Sequence, residues 1–450
     1  MSAGQTADGR PQQAAGAHTA VVEGITIGSH PRVAGSAAKG QRRFVMAGLR
    51  GELYFDDKAL SKHALFLGGI GTGKTNAMEV LLRSLRDNAG PDDVFVIFDT
   101  KGDFYRDFYR DGDAVISTDP DADAGGVTWN LFRDLPGAGT GGLGDDVYEI
   151  AATVFSEDLA SAGENSFFAA AACDIFAAVV EIMATDGQPH DNADLREYLE
   201  RSSDDLLELL QGQRGLAGTA RYLQGERTPE QILAFLQQTL NSSFTGAFRR
   251  PEGTFSVRDF VRRKGGRALF IEYDIAVGSR LLPVYRVLMD LAIKEALSLG
   301  RHRPRPEASV FFVMDEFALL PRLSHVADGI NFGRSLGLKF LVATQNVNQV
   351  LHAYGAQQGS SILSGFGTVF AFRLMDDASR DLVRQRFGAN RKQVSTYAAV
   401  RTQGVHQVIV PGNVIEDWDV SSLGEGWCVV SLPDGPPFFF QCVKFPERTG

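Results

Sequence analysis

Apolar residues recur in short, uninterrupted runs along most of the chain. The runs lie at residues 64–67, 94–98, 114–117, 268–273, 310–314, 340–343 and 369–372. They are apolar at nearly every position instead of at alternate positions, which is typical of strands buried on both faces of a parallel sheet. Helical patterns separate several of the runs, for example at residues 76–88 and 281–299. Strands that alternate with helices predict an α/β, doubly wound core.

Between residues 145 and 255 the apolar runs disappear and helical patterns replace them. These patterns cover residues 145–155, 167–184, 192–211 and 228–240. The last begins with Thr228-Pro229-Glu230, which supplies an N-cap, a proline at the first helical position and an acid for the helix dipole. We therefore predict an all-α domain, residues 145–255, inserted into an α/β domain formed by residues 43–144 and 256–450.

The first 42 residues are rich in Gly, Ala, Gln and Ser. No apolar core follows a charged start, so this composition does not match a secretory signal. It also offers too little apolar surface to offset the entropy lost on ordering. We therefore predict that residues 1–42 form a disordered tail.

The stretch most similar to a membrane span is residues 167–184. It carries Asp174 and Glu181, which are seven residues apart and therefore lie on one helical face. A membrane-spanning helix needs about 20 predominantly apolar residues. We interpret the stretch as an amphipathic helix packed on protein, and we expect no transmembrane segment and a cytoplasmic location.

Charge narrows the choice of partners. The chain has 45 basic and 55 acidic residues and a formal net charge of -10, which excludes a uniformly basic surface. Binding of nucleic acid would need local positive charge, for example along a channel. Basic clusters occur at Arg249-Arg250, Arg262-Arg263-Lys264 and Arg301-His302-Arg303-Pro304-Arg305. Their spacing leaves two interpretations open, a DNA channel or solvated turns.

The three cysteines, Cys173, Cys428 and Cys442, are far from any metal-ligand spacing. Cys428 and Cys442 fall in apolar, strand-like runs, where a free cysteine behaves as a small hydrophobic residue. We interpret them as buried, reduced thiols of a cytosolic protein and not as a disulfide or redox site.

A glycine-rich motif lies between the first buried run and the helix that follows it. Its sequence is Gly68-Gly69-Ile70-Gly71-Thr72-Gly73-Lys74-Thr75, which matches G-x-x-x-x-G-K-[ST]. The strand before it and the helix after it are the context that supports a phosphate-binding loop (P-loop). Glycines let backbone N–H groups surround phosphate oxygens, and the helix directs its positive dipole end at the anion. Lys74 is expected to reach the β- and γ-phosphates, and the Thr75 hydroxyl is expected to bind Mg²⁺.

A second candidate element is the buried run at residues 310–314, which ends in Asp315 and Glu316. We expect Asp315 to hold Mg²⁺ through its water shell, as Walker B acids do, and Glu316 to act as the general base for the attacking water. Taken alone, the pair could also be two acids that cap a helix after a strand. The P-loop elsewhere in the chain favours the catalytic interpretation.

Two further polar residues follow buried runs. Gln345 comes after the run at residues 340–343, where an amide could contact both the γ-phosphate and the attacking water. Asp99 ends the run at residues 94–98 and begins Asp99-Thr100-Lys101-Gly102-Asp103, at the rim where α/β sheets bind ligands. A loop amide and a solvated turn are the respective structural alternatives.

The order of these motifs resembles a known family. His63 precedes the P-loop, Asp99-Thr100-Lys101-Gly102-Asp103 and Trp129-Asn130 follow it, and the helical insertion comes next. The most specific block is Asp315-Glu316-Phe317-Ala318-Leu319-Leu320, Gly333-Arg334-Ser335-Leu336-Gly337, Gln345 and Tyr354-Gly355. Over roughly residues 43–445 the chain resembles the type IV secretion coupling proteins of the TraD/TraG group, within the FtsK–HerA superfamily of ring ATPases.

The resemblance implies a RecA-like P-loop NTPase domain with an inserted all-α domain, assembled as a homo-hexamer. It implies ATP and Mg²⁺ at subunit interfaces, with an arginine that reaches in from the neighbouring subunit. Arg334 matches that position, and Arg322 and Arg373 are the alternatives. It also implies that ATP is preferred over GTP, that the transported substrate is DNA, nucleoprotein or an effector protein, and that components of a membrane secretion channel are partners.

The chain departs from the family pattern in one respect, because most members carry N-terminal transmembrane helices. We therefore expect a soluble ring docked on a membrane partner at the inner face of the cell membrane, or a soluble branch of the family. Two other functions share the same residues. One is a HerA- or FtsK-like DNA translocase in repair or segregation. The other is a docking platform that binds ATP and seldom hydrolyses it, although the presence of Glu316 argues against it.

Overall fold

The structure is a computed structural model of the whole chain. It describes residues 20–23, 42–137, 142–160, 166–213, 215–225, 228–302, 308–397 and 405–446. The chain divides into two compact units. The first consists of Met1–Gly90, Pro304–Pro321 and Ala327–Gly450, and the second of Pro91–Arg303 and Arg322–Val326.

The described residues contain strands and helices over most of their length. The strands are β1 (Ala20–Glu23), β2 (Phe44–Gly48), β3 (Gly51–Phe55), β4 (Ala64–Leu67), β5 (Val94–Asp99), β6 (Ala114–Ile116), β7 (Arg267–Glu272), β8 (Val310–Met314), β9 (Leu338–Thr344), β10 (Thr368–Ala371), β11 (Ala389–Tyr397), β12 (Val405–Asn413), β13 (Trp427–Ser431) and β14 (Phe438–Gln441). The helices are α1 (Asp57–Leu60), α2 (Lys74–Asp87), α3 (Asp103–Phe108), α4 (Leu143–Val154), α5 (Ser156–Ala160), α6 (Ser166–Thr185), α7 (Asn192–Leu199), α8 (Ser203–Gln211), α9 (Ala217–Ala220), α10 (Thr228–Ser243), α11 (Val257–Arg263), α12 (Gly278–His302), α13 (Val326–Phe332), α14 (Val347–Tyr354), α15 (Ala356–Gly365), α16 (Asp377–Phe387) and α17 (Asp417–Ser421).

A mainly parallel sheet forms the core of the first unit. Its strands follow the order β14-β13-β10-β4-β9-β8; the pairs from β10 to β8 are parallel, and β13 and β14 are antiparallel additions. Strands β4, β8, β9 and β10 are buried at every position, as their uninterrupted apolar runs predict. Because parallel strands end at the same edge of a sheet, the residues after β4, β8, β9 and β10 lie along one edge.

The first unit also contains two smaller antiparallel assemblies. β2 and β3 form a hairpin, and β1, β11 and β12 form a three-stranded sheet in which β1 pairs with β11. Strand β1 belongs to the stretch predicted as a disordered tail, residues 1–42, so four residues of that stretch are in a strand. Residues 1–19 and 24–41 of the predicted tail lie outside the described residues.

The second unit combines a small sheet with helices. Strands β5 and β6 both pair with β7, and both pairs are parallel. Between residues 143 and 249 the described residues form helices, turns and loops but no strand. This agrees with the helical character predicted for residues 145–255, whereas the domain boundaries themselves remain a prediction.

Trp129 and Asn130 join the two chain segments that lead into and out of the helical region. The Trp129 indole N–H donates to Asp134 (2.7 Å), and the Asn130 amide donates to the carbonyl oxygens of His190 (3.0 Å) and Gly253 (2.9 Å). The buried Asp134 carboxylate also accepts from the Ser256 hydroxyl (2.7 Å). Because these buried groups satisfy each other, the Trp-Asn motif stabilises the base of the helical region.

Helix α6 is the one helix of the described residues that is long and apolar enough to cross a membrane, by length and composition alone. Within the structure, 67% of its most apolar window is buried. It packs against α4 and α10 of the same unit. Core helices of soluble proteins meet the same length and composition criteria, so α6 is only weak support for a membrane span.

Candidate nucleotide-binding site

The P-loop turns sharply between β4 and α2. Gly71 and Gly73 have φ values of 68° and 100°, a left-handed backbone conformation that residues other than glycine rarely adopt. A Cβ atom on Gly73 would lie 3.1 Å from the backbone nitrogen and Cα of Gly426. Helix α2 begins at Lys74, so its N-terminal N–H groups face the loop.

Neighbouring strands hold the loop from both sides. The Gly68 N–H donates to the Thr344 carbonyl at the end of β9 (3.3 Å), and the Gly69 N–H donates to the Arg373 carbonyl after β10 (3.1 Å). On the far side, the Gly426 N–H donates to the Thr72 carbonyl (3.0 Å). The backbone that would surround phosphate oxygens is therefore positioned by three separate segments.

Lys74 and Ile70 mark the inner and outer sides of the loop. The buried Lys74 ammonium donates to the carbonyl oxygens of Gly68 (2.6 Å) and Gly69 (3.0 Å). Ile70 is 81% exposed at the tip of the loop. Lys74 thus lies inside the loop, where a bound phosphate group would attract its positive charge. Ile70 would contribute only its backbone N–H group to phosphate binding.

Thr75 and Asp315 meet although 240 residues separate them in the sequence. The Thr75 hydroxyl donates to Asp315 Oδ1 at 2.9 Å, and Asp315 is buried at the end of β8. Hydroxyl and carboxylate oxygens are ligands that suit Mg²⁺. Among the described residues no group of three or more His, Cys, Asp or Glu side chains could hold a metal. Mg²⁺ takes few protein ligands and relies on substrate phosphates and water for the rest of its coordination.

Glu316 and Gln345 form the other side-chain pair at this edge. The Gln345 amide donates to Glu316 Oε2 at 3.1 Å. Each residue lies one or two positions beyond a buried parallel strand, β8 for Glu316 and β9 for Gln345. The amide therefore fixes the orientation of the carboxylate beside the Thr75–Asp315 pair.

Arg334 is exposed in the short turn Gly333–Leu336 that follows α13.

Sequence reasoning missed the role of His63, whose ring joins the end of α13 to the start of β9. His63 Nδ1 accepts from the Phe340 N–H (3.2 Å), so its Nε2 carries the proton and donates to the Ile330 carbonyl (3.0 Å). Burial lowers the pKa of His63 to about 4, so the ring is neutral at pH 7.

The two alternative arginines have other environments. Arg373 is exposed just after β10, and its carbonyl oxygen binds the P-loop. Arg322 belongs to the second unit, where its guanidinium donates to the Ser156 carbonyl (3.2 Å). The choice of Arg334 therefore remains a prediction.

Asp99 lies in the second unit at the end of β5. Its carboxylate accepts from the N–H groups of Lys101 (3.2 Å), Gly102 (2.9 Å) and Tyr105 (2.8 Å), and so stabilises the start of α3. Glu272, at the end of β7, was not predicted. Burial and the nearby carboxylates of Asp123 and Asp99 raise the pKa of Glu272 to about 7. A nucleotide contact by Asp99 remains a prediction.

The predicted basic clusters carry acidic partners where they are described. Arg250 pairs with Asp121 (2.6 Å), and Arg262 pairs with Asp259 (3.0 Å) and Glu295 (3.1 Å). Residues 303–305 of the third cluster lie outside the described residues. These ion pairs reduce the positive potential that either described cluster could offer to DNA.

The cysteines are free and buried, as predicted. Burial raises the pKa of the Cys173 thiol to about 12, so this thiol stays protonated.

The loop, the helix that follows it and the buried acid define a P-loop NTPase. The family described as type IV secretion-system coupling protein DNA-binding domain matches residues 50–410, which is most of the chain, so this protein belongs to that family. No curated protein matches the chain.

Solved structures of similar fold agree with this assignment. The bacterial conjugative coupling protein TrwBdeltaN70, in its unbound form, has a TM-score of 0.76 at 20% identity, over 97% of each chain. TrwB bound to a non-hydrolysable ATP analogue has a TM-score of 0.74 at 20% identity, over 95% of each chain. VirB4 of Thermoanaerobacter pseudethanolicus has a TM-score of 0.58 at 13% identity, over 92% of this chain and 99% of that one. At these identities the likeness concerns the fold.

The predicted α/β class, with a RecA-like P-loop domain and helical region, is therefore confirmed, as is the family that the sequence resembles. Family, fold and loop geometry together confirm the predicted class of enzyme, a P-loop ATPase with a site for nucleotide and Mg²⁺.

Proposed function

We propose that this chain is the ATP-hydrolysing subunit of a homo-hexameric ring that moves DNA, nucleoprotein or effector protein to a secretion channel. The observation that carries the proposal is the side-chain arrangement at one sheet edge. There, Glu316 is oriented by Gln345 next to the Thr75–Asp315 pair and the P-loop. A site that only binds nucleotide has no use for an oriented carboxylate, so the geometry favours a hydrolase over a docking platform.

Each residue has a distinct task in this proposal. Backbone N–H groups of Gly69–Thr75 and the Lys74 ammonium bind the phosphates, and Thr75 and Asp315 hold Mg²⁺, which neutralises phosphate charge when bound. The Glu316 carboxylate accepts a proton from the attacking water, and Gln345 keeps that carboxylate in place. Arg334, supplied by the neighbouring subunit, stabilises charge that develops during the reaction.

The family supports DNA as a partner, since its description names a DNA-binding domain. The solved TrwB is described as a conjugative and plasmid coupling protein, and this supports transport linked to a secretion channel. We propose a cytoplasmic ring that is peripheral at the inner face of the membrane through a channel partner. A HerA- or FtsK-like translocase without a secretion role is the second candidate, because it would use the same catalytic residues.

The test is steady-state ATP hydrolysis of the wild type and Glu316→Gln, each with and without single-stranded DNA. We expect the variant to lose at least about 100-fold in kcat while it still binds ATP, because only proton transfer is removed. Glu52→Gln, an exposed glutamate of β3, is the matched control and should behave as wild type. Equal and negligible hydrolysis in wild type and variant, with ATP still bound, would support the docking platform instead.

Ring formation and substrate are tested separately. Light scattering should show an ATP-dependent oligomer of about six subunits. DNA-stimulated hydrolysis would support a nucleic-acid motor, whereas hydrolysis indifferent to DNA would favour protein substrates. No change in mass with any nucleotide would contradict the ring.

A further inference from the structure

Five residues, Arg322–Val326, occupy an unusual place in the chain. They belong to the second unit, whereas the residues just before and just after them belong to the first. Arg322 lies six positions after Glu316, and Arg334 lies eight positions after Val326. We call Arg322–Val326 the docked segment. Glu316 and Arg334 flank it in the chain, so a shift of the docked segment would be transmitted to both residues through the backbone.

Asp290 of α12 binds the backbone of the docked segment. Its Oδ2 accepts from the Ser324 N–H at 2.9 Å, and its Oδ1 accepts from the His325 N–H at 3.1 Å. Both carboxyl oxygens therefore hold consecutive N–H groups directly before α13 begins. Asp290 is only 5% exposed, so water cannot readily replace it, and loss of the carboxyl would leave two backbone donors unsatisfied.

His325 provides the second attachment. Its Nε2 contacts Glu149 of α4, and the Lys294 ammonium of α12 contacts the same carboxylate. Burial alone would raise the pKa of Glu149, but the hydrogen bonds from His325 and Lys294 lower it to about 2. Burial would lower the pKa of His325, yet the hydrogen bond and charge of Glu149 raise it above its usual value. Both shifts favour the charged forms of the two side chains.

The rest of the docked segment is also fixed. Leu323 and Val326 are buried, and Arg322 donates to the carbonyl of Ser156, the first residue of α5. Arg322 has a φ of 63°, a left-handed backbone conformation that is unfavourable for a residue with a side chain and persists only where contacts enforce it. The docked segment is thus held by side chains of α4 and α12, by a backbone carbonyl at the start of α5 and by the burial of its apolar residues.

Farther along the same chain, the carbonyl of Ile330 near the end of α13 is bound by His63, which precedes the P-loop. The chain from Glu316 to Arg334 is therefore tied at one point to the helical region and at another to the nucleotide-binding unit. A displacement of α4 or α12 must move the docked segment or break its hydrogen bonds.

From these contacts we propose that Asp290, His325 and Glu149 are positioning residues for ATP hydrolysis, through which the helical region sets the alignment of Glu316 and Arg334. The inference rests on the proposed roles of those two residues. All three positioning residues belong to the second unit and the P-loop belongs to the first, so we expect their effect on the rate of hydrolysis and not on affinity for ATP.

The test compares Asp290→Ala, His325→Ala and His325→Gln with the wild type in the full-length chain. We expect both alanine variants to lower kcat by about 10-fold or more, since misplacement by about 1 Å can cost up to 100-fold, with ATP affinity unchanged within about twofold. His325→Gln keeps a donor near the Nε2 position and should recover part of the loss. Fluorescent ATP-analogue titration measures affinity, and thermal unfolding shows whether each variant folds.

Arg262→Gln is the matched control. It removes the ion pair with Glu295, which joins α11 to α12 without touching the docked segment. We expect a similar loss of stability and an unchanged kcat. If the control lowers kcat as much as Asp290→Ala does, or if all variants keep wild-type kcat, the inference is wrong.

A second readout detects coupling directly. Because coupling between two sites is reciprocal, ATP should change the hydrogen exchange of amides in α4 and α12 in the wild type. In His325→Ala that change should be lost although ATP still binds. An identical response in both proteins would overturn the inference. Failure of the proposed catalytic role appears differently, as a Glu316→Gln variant that still hydrolyses ATP.

Discussion

The backbone of the P-loop and the backbone of the docked segment are both held in place, but by different kinds of group. The P-loop backbone donates hydrogen bonds to the carbonyls of Thr344 and Arg373 and accepts one from the Gly426 N–H. Glycine at position 73 allows the loop to approach the Gly426 backbone closely. The docked segment is held by ionisable side chains, chiefly Asp290, with His325 bound to Glu149. Backbone groups do not titrate, whereas carboxylates and imidazoles do. The P-loop should therefore keep its geometry across a pH range in which the side-chain contacts of the docked segment change.

The largest effect on this comparison is expected from Lys74→Ala, which removes the charge at the centre of the P-loop. We expect hydrolysis to fall by about 100- to 1,000-fold, because a preorganised charge that faces the reacting phosphates is lost. Stability should change little. Steady-state turnover and thermal unfolding measure the two effects, with Lys58→Ala, an exposed lysine in α1, as the control. Activity within tenfold of the wild type would mean that Lys74 is not in the phosphate site.

The next effect concerns pH and His63. The folded pKa of about 4 lies below the ordinary value of 6.5, so the neutral ring stabilises the fold above pH 6.5. This stabilisation, roughly 3 kcal/mol by linkage, is lost as the pH falls from 6.5 to 4. Urea unfolding at several pH values should show the loss in the wild type and a flatter profile in His63→Gln. Parallel profiles would contradict the assignment.

A smaller effect separates backbone strain from crowding in the P-loop. Gly71→Ala introduces strain alone, since nothing lies within 4 Å of a Cβ there, whereas Gly73→Ala also approaches the Gly426 backbone. We expect each to cost about 1–2 kcal/mol of stability from the left-handed φ, with the larger loss of stability and ATP affinity for Gly73→Ala. Gly137→Ala, without either problem, is the control. Equal effects at positions 71 and 73 would exclude crowding as a cause.

The smallest effect concerns the docked segment, which is held by titratable side chains. The hydrogen bond and charge of Glu149 outweigh burial and raise the pKa of His325 above 6.5, so His325 stabilises the fold less as the pH rises through its pKa. Burial raises the pKa of Asp290 to about 6, so the contribution of Asp290 is lost between pH 3.8 and 6. The charged groups around them are Asp146 and Glu149 of α4, Arg258 of α11 and Lys294 of α12. We expect the free energy of unfolding of the wild type, measured by urea unfolding, to fall as the pH rises above 6.5, and to fall less in His325→Gln. A wild-type stability that rises over this range would contradict the assignment.

Much of the nucleotide site is predictable because its residues are consecutive or end a buried strand. The P-loop needs only its local sequence, and Asp315, Glu316 and Gln345 each follow a run apolar at every position. The parallel sheet then brings those ends together. The same logic gave the helical character of residues 145–255 and the resemblance to coupling proteins.

Other features depend on tertiary contacts that no local pattern records. His63 is a lone histidine in sequence, and its task appears only when Phe340 and Ile330 lie beside it. Glu149, Asp290 and His325 come from three distant places in the chain. Strand β1 was predicted as part of a disordered tail because its pairing with β11 lies almost 370 residues away. Asp99 ends a strand as predicted, but its described hydrogen bonds are to the start of α3.

The late strands β13 and β14 bring the end of the described chain to the nucleotide site. Gly426 binds the P-loop backbone, and the Asn76 side chain of α2 bonds to the backbone of Val443 (2.8 Å) and Phe445 (2.8 Å). During synthesis, therefore, residue 445 must emerge from the ribosome before the P-loop region, made some 370 residues earlier, can form all of these contacts. A nascent chain that has not yet exposed Phe445 therefore cannot have a fully supported P-loop.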